Sequence, residues 1–156
     1  MSVRLTLTLA LLFASVAEAR TPIDVMLMID REAERHGVPI PLARAVAKTE
    51  SDYNAYLVGA SGERGAMQVM VPTARWLGFT GTMAELEKPE VNIALGMKYL
   101  ALAWRKSNGD PKASAWRYNR GVQAEYRPIE CWRQWEAGYS IRRMSYPCRV
   151  LMNVGA

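Results

Sequence analysis

Prolines stand at the beginning of five stretches of this chain, and their placement constrains the fold more than any other feature. They are Pro22, Pro41, Pro72, Pro89 and Pro111. Proline is tolerated in the first turn of an α-helix, where its missing N–H has no intrahelical partner to lose. Turn residues, most often glycine, follow most of these stretches. We therefore predict five helices, with approximate bounds 22–35, 41–51, 72–77, 90–107 and 111–118.

The longest of these helices carries two apolar stripes at helical spacing: Val91, Leu95, Tyr99, Leu102 and Ile93, Met97, Leu100, Trp104. A helix with two apolar faces is buried on both. Residues 53–70 hold three glycines and little helical period, which favours a loop or small β excursion. The tail, 122–156, is expected to form one or two short helices around its cysteines. The pattern predicts a single compact domain that is mainly α.

The first nineteen residues have the organisation of a secretory signal peptide. Arg4 precedes an apolar run over 5–16, and Ala17-Glu18-Ala19 follows as a small-x-small cleavage site. We predict that residues 1–19 are removed on export and that 20–156 form the mature domain. An uncleaved N-terminal anchor is the alternative. No later segment reaches the ~18 apolar residues of a membrane helix, so no stable membrane insertion is expected after cleavage.

The sequence has two cysteines, Cys131 and Cys148. An even number of cysteines in an exported chain indicates a disulfide, and two unpaired buried thiols are the alternative. Together with the signal peptide, this pair predicts a periplasmic location in a Gram-negative cell.

Composition excludes several kinds of site. One histidine and two cysteines cannot supply the four N/S ligands of a structural zinc site, and a Ser-His-Asp triad would have to use His36. The net charge of +5 is modest for a nucleic-acid binder and suits a polyanionic wall equally well. From the composition we expect no structural zinc site and no nucleic-acid partner. Arginines outnumber glutamates between Arg117 and Arg149. This positive charge could bind anionic wall polymer or a partner protein, and the alternative is an ordinary solvated surface.

One carboxyl group occupies an unusual position in the second helix. Leu42, Val46 and Glu50 are spaced i, i+4, i+8, which puts Glu50 at the end of an apolar stripe. Burial disfavours the charged form of a carboxyl group and raises its pKa. A carboxylic acid that stays neutral near pH 7 can serve as a general acid. The alternative is a glutamate in the last helical turn that simply reaches solvent.

Three motifs follow in order along the chain. Glu50-Ser51 is followed by the run Gly-Ala-Met-Gln-Val-Met-Val-Pro-Thr-Ala over 65–74, in which Gly65 is expected to permit close backbone approach. Asn92-Ile93 precedes Gly96 and Tyr99-Leu100, and Tyr118-Asn119-Arg120-Gly121 comes last. Over about 38–121 this set resembles the catalytic core of the soluble lytic transglycosylase (SLT) family, which shares the lysozyme-like fold of goose-type lysozymes.

The chain departs from the family pattern in several places. Ala66 replaces the usual leucine, Pro72 comes one place late, and Glu63-Arg64 puts charges where small residues are common. These departures concern the shape of the groove more than the chemistry. The tail beyond about 125 shows no match to the family.

The resemblance implies an exported enzyme that cleaves the β-1,4 bond between N-acetylmuramic acid and N-acetylglucosamine in peptidoglycan. It implies a mechanism with one carboxyl group, in which Glu50 is both acid and base, the substrate's N-acetyl group assists, and a 1,6-anhydro ring forms. This mechanism needs no metal and no cofactor. Ser51 is then expected to hydrogen-bond near the acid or the N-acetyl group. The other substrate-binding candidates are Met67, Gln68 and Met70 along the sugar subsites, Tyr118 with its hydroxyl near Glu50 or the N-acetyl group, and Asn119, which also has a turn-holding interpretation. The alternatives are ordinary core filling for the two methionines, a half-buried core tyrosine at 118, and a surface serine near a helix end at 51.

Two other functions stay open from the sequence. A hydrolytic muramidase on the same fold would need a positioned water, with Glu63 as the nearest other carboxyl group. The third interpretation is that the protein is a catalytically weak wall-binding or assembly factor, and the atypical segment around Glu63 supports it. Small transglycosylases of this type often accompany secretion, conjugation or pilus machines, so an envelope-spanning complex is a further candidate partner by analogy.

Among the tryptophans, Trp76 and Trp104 are expected in the core.

Overall fold

The computed structural model describes residues 20–154. The predicted signal peptide, residues 1–19, lies outside this part of the chain. The described part forms these helices, one of them a 3-10 helix: α1 (Pro22–His36), α2 (Ile40–Ser51), α3 (Val71–Trp76), α4 (Met83–Leu86), α5 (Pro89–Lys106), α6 (Pro111–Arg120), α7 (Cys131–Glu136), the 3-10 helix (Ile141–Arg143) and α8 (Tyr146–Asn153). All five helices that the prolines predict are present, and their bounds agree within one or two residues.

Local side-chain chemistry explains where helices begin and end. Thr21 and Asp24 form a reciprocal capping box at the start of α1, and Gly37 ends this helix with a φ of 65°. The short helix α4 was not predicted, although Thr82 and Glu85 open it with a second capping box. The signal for α4 was therefore local, but one helical turn is too short to show an apolar period.

The long helix α5 is central to the hydrophobic core. The side chains of Ile93, Met97 and Leu100 are fully buried, and α1 and α6 pack against this helix. On the other apolar stripe, which contains Val91 and Leu102, Leu95 and Tyr99 are partly buried against the same core. The prediction that α5 is buried on two sides is confirmed, with one side more completely covered than the other.

The chain between α2 and α3 makes the small β excursion that the glycines predicted. Val58 pairs with Arg64, and Arg64 pairs with Val69, in two isolated antiparallel bridges. The fully buried side chain of Asn92 fastens this loop to α5: its Nδ2 donates to the Arg64 carbonyl oxygen at 2.7 Å, and its Oδ1 accepts the Met67 N–H at 3.0 Å. One amide thus fixes the loop that follows the Glu50 helix.

Two glycines permit this close approach. Gly65 has a φ of +70°, and a Cβ atom there would lie 2.5 Å from the Asn92 side chain. At Gly96 on α5, a Cβ atom would lie 2.3 Å from the Cβ of Met67. Because any larger residue would push the loop off the helix, the expectation for Gly65 is confirmed.

The end of the chain returns to the middle of the molecule. Helix α8 packs against α2 and α6, and it buries Tyr146, Pro147, Cys148 and Val150. A disulfide between Cys131 and Cys148 joins α7 to α8, as predicted from the cysteine count. Within residues 20–154, no helix combines the length and the apolarity needed to cross a bilayer.

Candidate active site

A cleft of about 300 Å³ opens where the C-terminal ends of α2 and α6 meet the loop after α2. Five of the seven residues that the sequence singled out lie on its walls: Glu50, Gln68, Met70, Tyr118 and Asn119. The other two, Ser51 and Met67, do not.

Glu50 is the next-to-last residue of α2, and its carboxyl group is partly buried at the cleft. Its Oε1 atom accepts a hydrogen bond from the hydroxyl of Tyr146 at 2.6 Å. Helical periodicity placed Glu50 at the end of the Leu42–Val46 stripe, and both of those side chains are buried. The local geometry is therefore that of a carboxyl group withdrawn from water but still reachable from the cleft.

Burial raises the pKa of Glu50 from its ordinary 4.5 to about 7. Two groups of α8 oppose this effect, because the Tyr146 hydrogen bond and the positive charge of Arg149 both favour the carboxylate. The negative charge of Glu63 acts in the same direction as burial. A carboxyl group with a pKa near 7 is populated in both protonation states at neutral pH, so it can give and take a proton.

Tyr146 is a residue that the sequence reasoning missed. It lies 96 positions after Glu50 in a tail without a recognised motif, yet its ring is 8% exposed and its hydroxyl meets the carboxyl group directly. Burial and the adjacent Glu50 charge raise the pKa of Tyr146 well above its ordinary value, so it remains a donor. In the sequence, Tyr146 is followed by Pro147, and this pair indicates the start of a helix. It does not indicate that the tyrosine contacts Glu50.

Tyr118 lines the cleft, but its hydroxyl does not bond to Glu50. It donates instead to the Met67 carbonyl oxygen at 2.7 Å, and the ring packs edge-on against Tyr99 with centroids 5.5 Å apart. Burial raises the pKa of Tyr118 well above its ordinary value, and the charge of Glu50 contributes in the same direction. Tyr118 therefore ties the loop to α6 at the floor of the cleft.

Gln68, Met70 and Asn119 present side chains to the cleft in different ways. Both amide hydrogens of Gln68 are used within the loop, since Nε2 donates to the carbonyl oxygens of Gly65 at 2.8 Å and Leu57 at 3.1 Å. Its Oε1 is left as an acceptor. Met70 is 40% exposed, and Asn119 is exposed at the last turn of α6. These groups offer polar and apolar contacts along one wall.

Two predicted substrate-binding residues are located elsewhere. Met67 is fully buried against Gly96 in the core, which agrees with the core-filling alternative and not with a side chain that lines a sugar subsite. Ser51 is 8% exposed, and its hydroxyl donates to the Ala66 carbonyl oxygen at 2.8 Å. Its role in this structure is to attach the loop to α2, not to face the cleft.

Glu63 and Arg64 are neighbours in the loop, but their side chains lie on different surfaces. Glu63 lies on the wall of the cleft, where its Oε2 accepts the Ser61 N–H at 3.0 Å. Arg64 turns away and pairs with Glu87, with Nε and Oε1 3.0 Å apart. The cleft thus contains a second carboxyl group. In the described part of the chain, no three His, Cys, Asp or Glu side chains are grouped closely enough to hold a metal ion.

A larger groove of about 570 Å³ continues from the cleft past Thr73, Tyr99 and Arg120, which line both. Trp76 forms part of its wall and is 59% exposed, so the expectation that it belongs to the core is wrong. Helix α3 has six residues and buries only Ala74, which leaves the indole packed edge-on against Tyr99 with its other surface free. The groove therefore extends the cleft with an aromatic wall.

Comparisons with known proteins agree with this architecture. The family model described as "Transglycosylase SLT domain" matches residues 27–135. Membrane-bound lytic murein transglycosylase C of Edwardsiella ictaluri is 39% identical over 84 residues, which cover 48% of this chain and 23% of the relative. Endo-type membrane-bound lytic murein transglycosylase A of Cronobacter sakazakii is 33% identical over 84 residues, covering 49% of this chain and 41% of the relative. The chain thus spans less than half the length of either relative.

Among solved structures, an inactive variant of the lytic transglycosylase Slt from Pseudomonas aeruginosa superposes with a TM-score of 0.61. The match covers 82% of this chain and 23% of the other at 22% identity, and it shows a shared fold. Since the family match spans more than half of the sequence, the chain belongs to the family of SLT transglycosylase domains, with the lysozyme-like architecture that its motifs predicted.

Proposed function

We propose that this protein is a lytic transglycosylase that cleaves the β-1,4 bond between N-acetylmuramic acid and N-acetylglucosamine in peptidoglycan. The observation that carries the proposal is the partly buried carboxyl group of Glu50, whose pKa is raised to about 7 at the floor of an open cleft. Family membership and relatives described as lytic murein transglycosylases support the choice of substrate.

In the first step, protonated Glu50 gives its proton to the glycosidic oxygen as the bond from C1 of N-acetylmuramic acid breaks. Positive charge develops at C1, and the N-acetyl group of the same sugar shields it. In the second step, the Glu50 carboxylate takes the proton of the C6 hydroxyl, whose oxygen bonds to C1. The 1,6-anhydro ring closes, Glu50 regains its proton, and no water is consumed.

The neighbours of Glu50 support this two-step use of one carboxyl group. The hydroxyl of Tyr146, 2.6 Å away, favours the carboxylate that the second step needs, whereas burial favours the acid that the first step needs. Gln68, Met70 and Asn119 are proposed to contact the sugars, and the groove beside Trp76 to receive further units of the strand.

We further propose that residues 1–19 direct the chain to the periplasm, where its substrate is found. Sequencing the N-terminus of protein recovered from a periplasmic extract tests this proposal, and a mature chain that begins at or near Arg20 is expected. The association with a secretion, conjugation or pilus machine stays a prediction by analogy.

A hydrolytic muramidase is the second candidate, because Glu63 brings another carboxyl group to the same cleft. In that mechanism Glu63 would position or activate a water molecule. Its Oε2 already accepts the Ser61 N–H at 3.0 Å within the loop, which favours the single-carboxyl mechanism.

Mass spectrometry of muropeptides released from purified peptidoglycan by residues 20–156 distinguishes these functions. Products lighter by one water than reducing-end muropeptides are expected, with Glu50→Gln reducing turnover by at least about a hundredfold. Glu63→Gln should retain most of the activity. Reducing-end products would establish the hydrolase instead, and full activity in Glu50→Gln would contradict both. No product from well-folded protein would favour the wall-binding role.

A further inference from the structure

The residues on both sides of Tyr146 make contacts within the tail. Ser145 precedes it, and Cys148 follows two residues later, with its side chain fully buried. Both of these flanking residues are attached to one short helix, α7. The attachment is covalent at Cys131–Cys148 and polar at Gln134, whose Oε1 accepts the Ser145 N–H at 2.8 Å.

Gln134 accepts a hydrogen bond that, in many helices, is accepted by a residue of the same helix. In a capping box, a Glu or Gln at the third helical position accepts the N–H of the N-cap residue. In α8 the N-cap is Ser145 and the third position is Cys148, which cannot do this. Gln134 supplies the acceptor from α7, and its Nε2 also donates to the Ser145 Oγ at 3.2 Å. The first turn of α8, which includes Tyr146, is therefore capped from outside.

Helix α7 contributes no buried side chain of its own. The segment before α8 offers few other anchors, because residues 135–143 are all exposed and only Met144 is buried just ahead of Ser145. On its other side, the chain leading into α7 is fixed to α6: Trp116 Nε1 donates to the Glu125 carbonyl oxygen at 3.0 Å, and Lys112 Nζ donates to that of Ile129 at 3.3 Å. Helix α7 thus connects an anchored segment to the start of α8.

We propose that α7 is a positioning clamp, in which the Cys131–Cys148 disulfide and Gln134 hold the Tyr146 hydroxyl on the Glu50 carboxyl group. This inference rests on the proposed function, since it assigns Cys131, Gln134 and Cys148 an indirect role in the chemistry of Glu50. The packing of α8 on α2 and α6 holds the body of the helix, and the clamp fixes its first turn.

The test follows the protonation of Glu50 directly, so it does not depend on activity. The groups that act on Glu50 are Tyr146 and Arg149 from α8, Glu63 from the loop, and the nearby Tyr118 of α6. A pH titration followed by carboxyl ¹³C NMR gives the midpoint of Glu50 ionisation. The Glu50 signal is identified by its absence in Glu50→Gln. Since the Tyr146 hydrogen bond lowers the pKa of Glu50, Tyr146→Phe should raise this midpoint.

The paired variant Cys131→Ser/Cys148→Ser should raise the midpoint in the same direction as Tyr146→Phe and lower turnover by about tenfold to a hundredfold. Combined with Tyr146→Phe, it should cause little further rise, because both changes remove the same contact. Gln134→Ala keeps the disulfide and should give a smaller rise, which Gln134→Glu reverses by restoring the acceptor. Trp135→Ala, an exposed change on the same helix, is the matched control and should leave the midpoint unchanged.

An unchanged Glu50 midpoint in both folded clamp variants, Cys131→Ser/Cys148→Ser and Gln134→Ala, would overturn the inference and leave the disulfide a stabilising crosslink only. If the paired cysteine variant does not fold, the Gln134 variants decide the question alone. If the parent protein releases no muropeptides, the proposed function fails, but the titration still decides whether the clamp positions Tyr146.

Discussion

Replacing Glu50 by glutamine should stabilise the protein above neutral pH while it removes activity. The pKa of Glu50 is about 7 in the folded protein and 4.5 for an unperturbed side chain. Each tenfold change in proton affinity corresponds to about 1.4 kcal/mol, so this difference amounts to about 3 kcal/mol. Because the folded state binds this proton more tightly than the unfolded state, the contribution to stability is complete below pH 4.5. It is lost progressively as the pH rises, and it has gone above about pH 7.

The amide in Glu50→Gln has nearly the same shape, still accepts the Tyr146 hydrogen bond, and cannot ionise. Urea unfolding at a series of pH values, with the disulfide intact, gives the free energy of unfolding of both proteins. We expect the advantage of the variant over the parent to grow by about 1.4 kcal/mol per pH unit between about 4.5 and 7 and then to level off near 3 kcal/mol.

Glu136→Gln, at an exposed position of α7, controls for the general effect of removing one negative charge. A difference in the free energy of unfolding between Glu50→Gln and the parent that stays constant from pH 4 to pH 9 would contradict the raised pKa of Glu50. It would mean that Glu50 titrates alike in the folded and unfolded states, so that at neutral pH the carboxyl group would be almost entirely ionised and poorly suited to donate a proton.

Three further changes have outcomes that the structure fixes in direction. Cys131→Ser with Cys148→Ser should lower the free energy of unfolding by about 3 kcal/mol in urea titrations, because a crosslink over 17 residues restricts the unfolded chain; an unchanged midpoint would mean that the bond is absent or without consequence. Gly65→Ala should cost about 2 kcal/mol or more, since its φ is +70° and its Cβ would meet Asn92; a neutral effect would contradict the tight contact. Trp76→Ala should raise the KM for long glycan strands with kcat nearly unchanged, and equal kinetics on long and short strands would argue against binding in the groove.

The helical framework was predictable because its signals are local. Proline at a helix start, glycine at a helix end and an apolar period each act within a few residues, and α1 and α5 appear almost where those signals placed them. The position of Glu50 on an apolar stripe was predictable for the same reason. A motif, in contrast, identifies a segment without saying which way each side chain faces.

The loop after α2 illustrates that limit. Backbone φ is positive at Gly65 and at Gln68, so the chain reverses direction and simple alternation no longer gives the orientation of side chains. Met67 consequently enters the core, while Gln68 and Met70 face the cleft. Tyr146 could not be placed at all from its sequence context, because only the tertiary packing of α8 on α2 brings it to Glu50.

The pKa of Glu50 depends on two opposing sets of groups that belong to different parts of the chain. Burial at the end of α2 and the charge of Glu63 in the loop raise the pKa. Glu50 and Glu63 lie within the family-matched region, and α8 contributes to the burial because it packs on α2. The two groups that lower it, Tyr146 and Arg149, both come from α8, which lies beyond that region. Removing only the Tyr146 hydroxyl and the Arg149 charge, with the packing of α8 on α2 kept, would make the carboxyl group hold its proton more tightly, which would suit proton donation but hinder the return step. In the proposed mechanism Tyr146 and Arg149 of the C-terminal helix therefore balance the effect of burial, so that one carboxyl group can serve both steps.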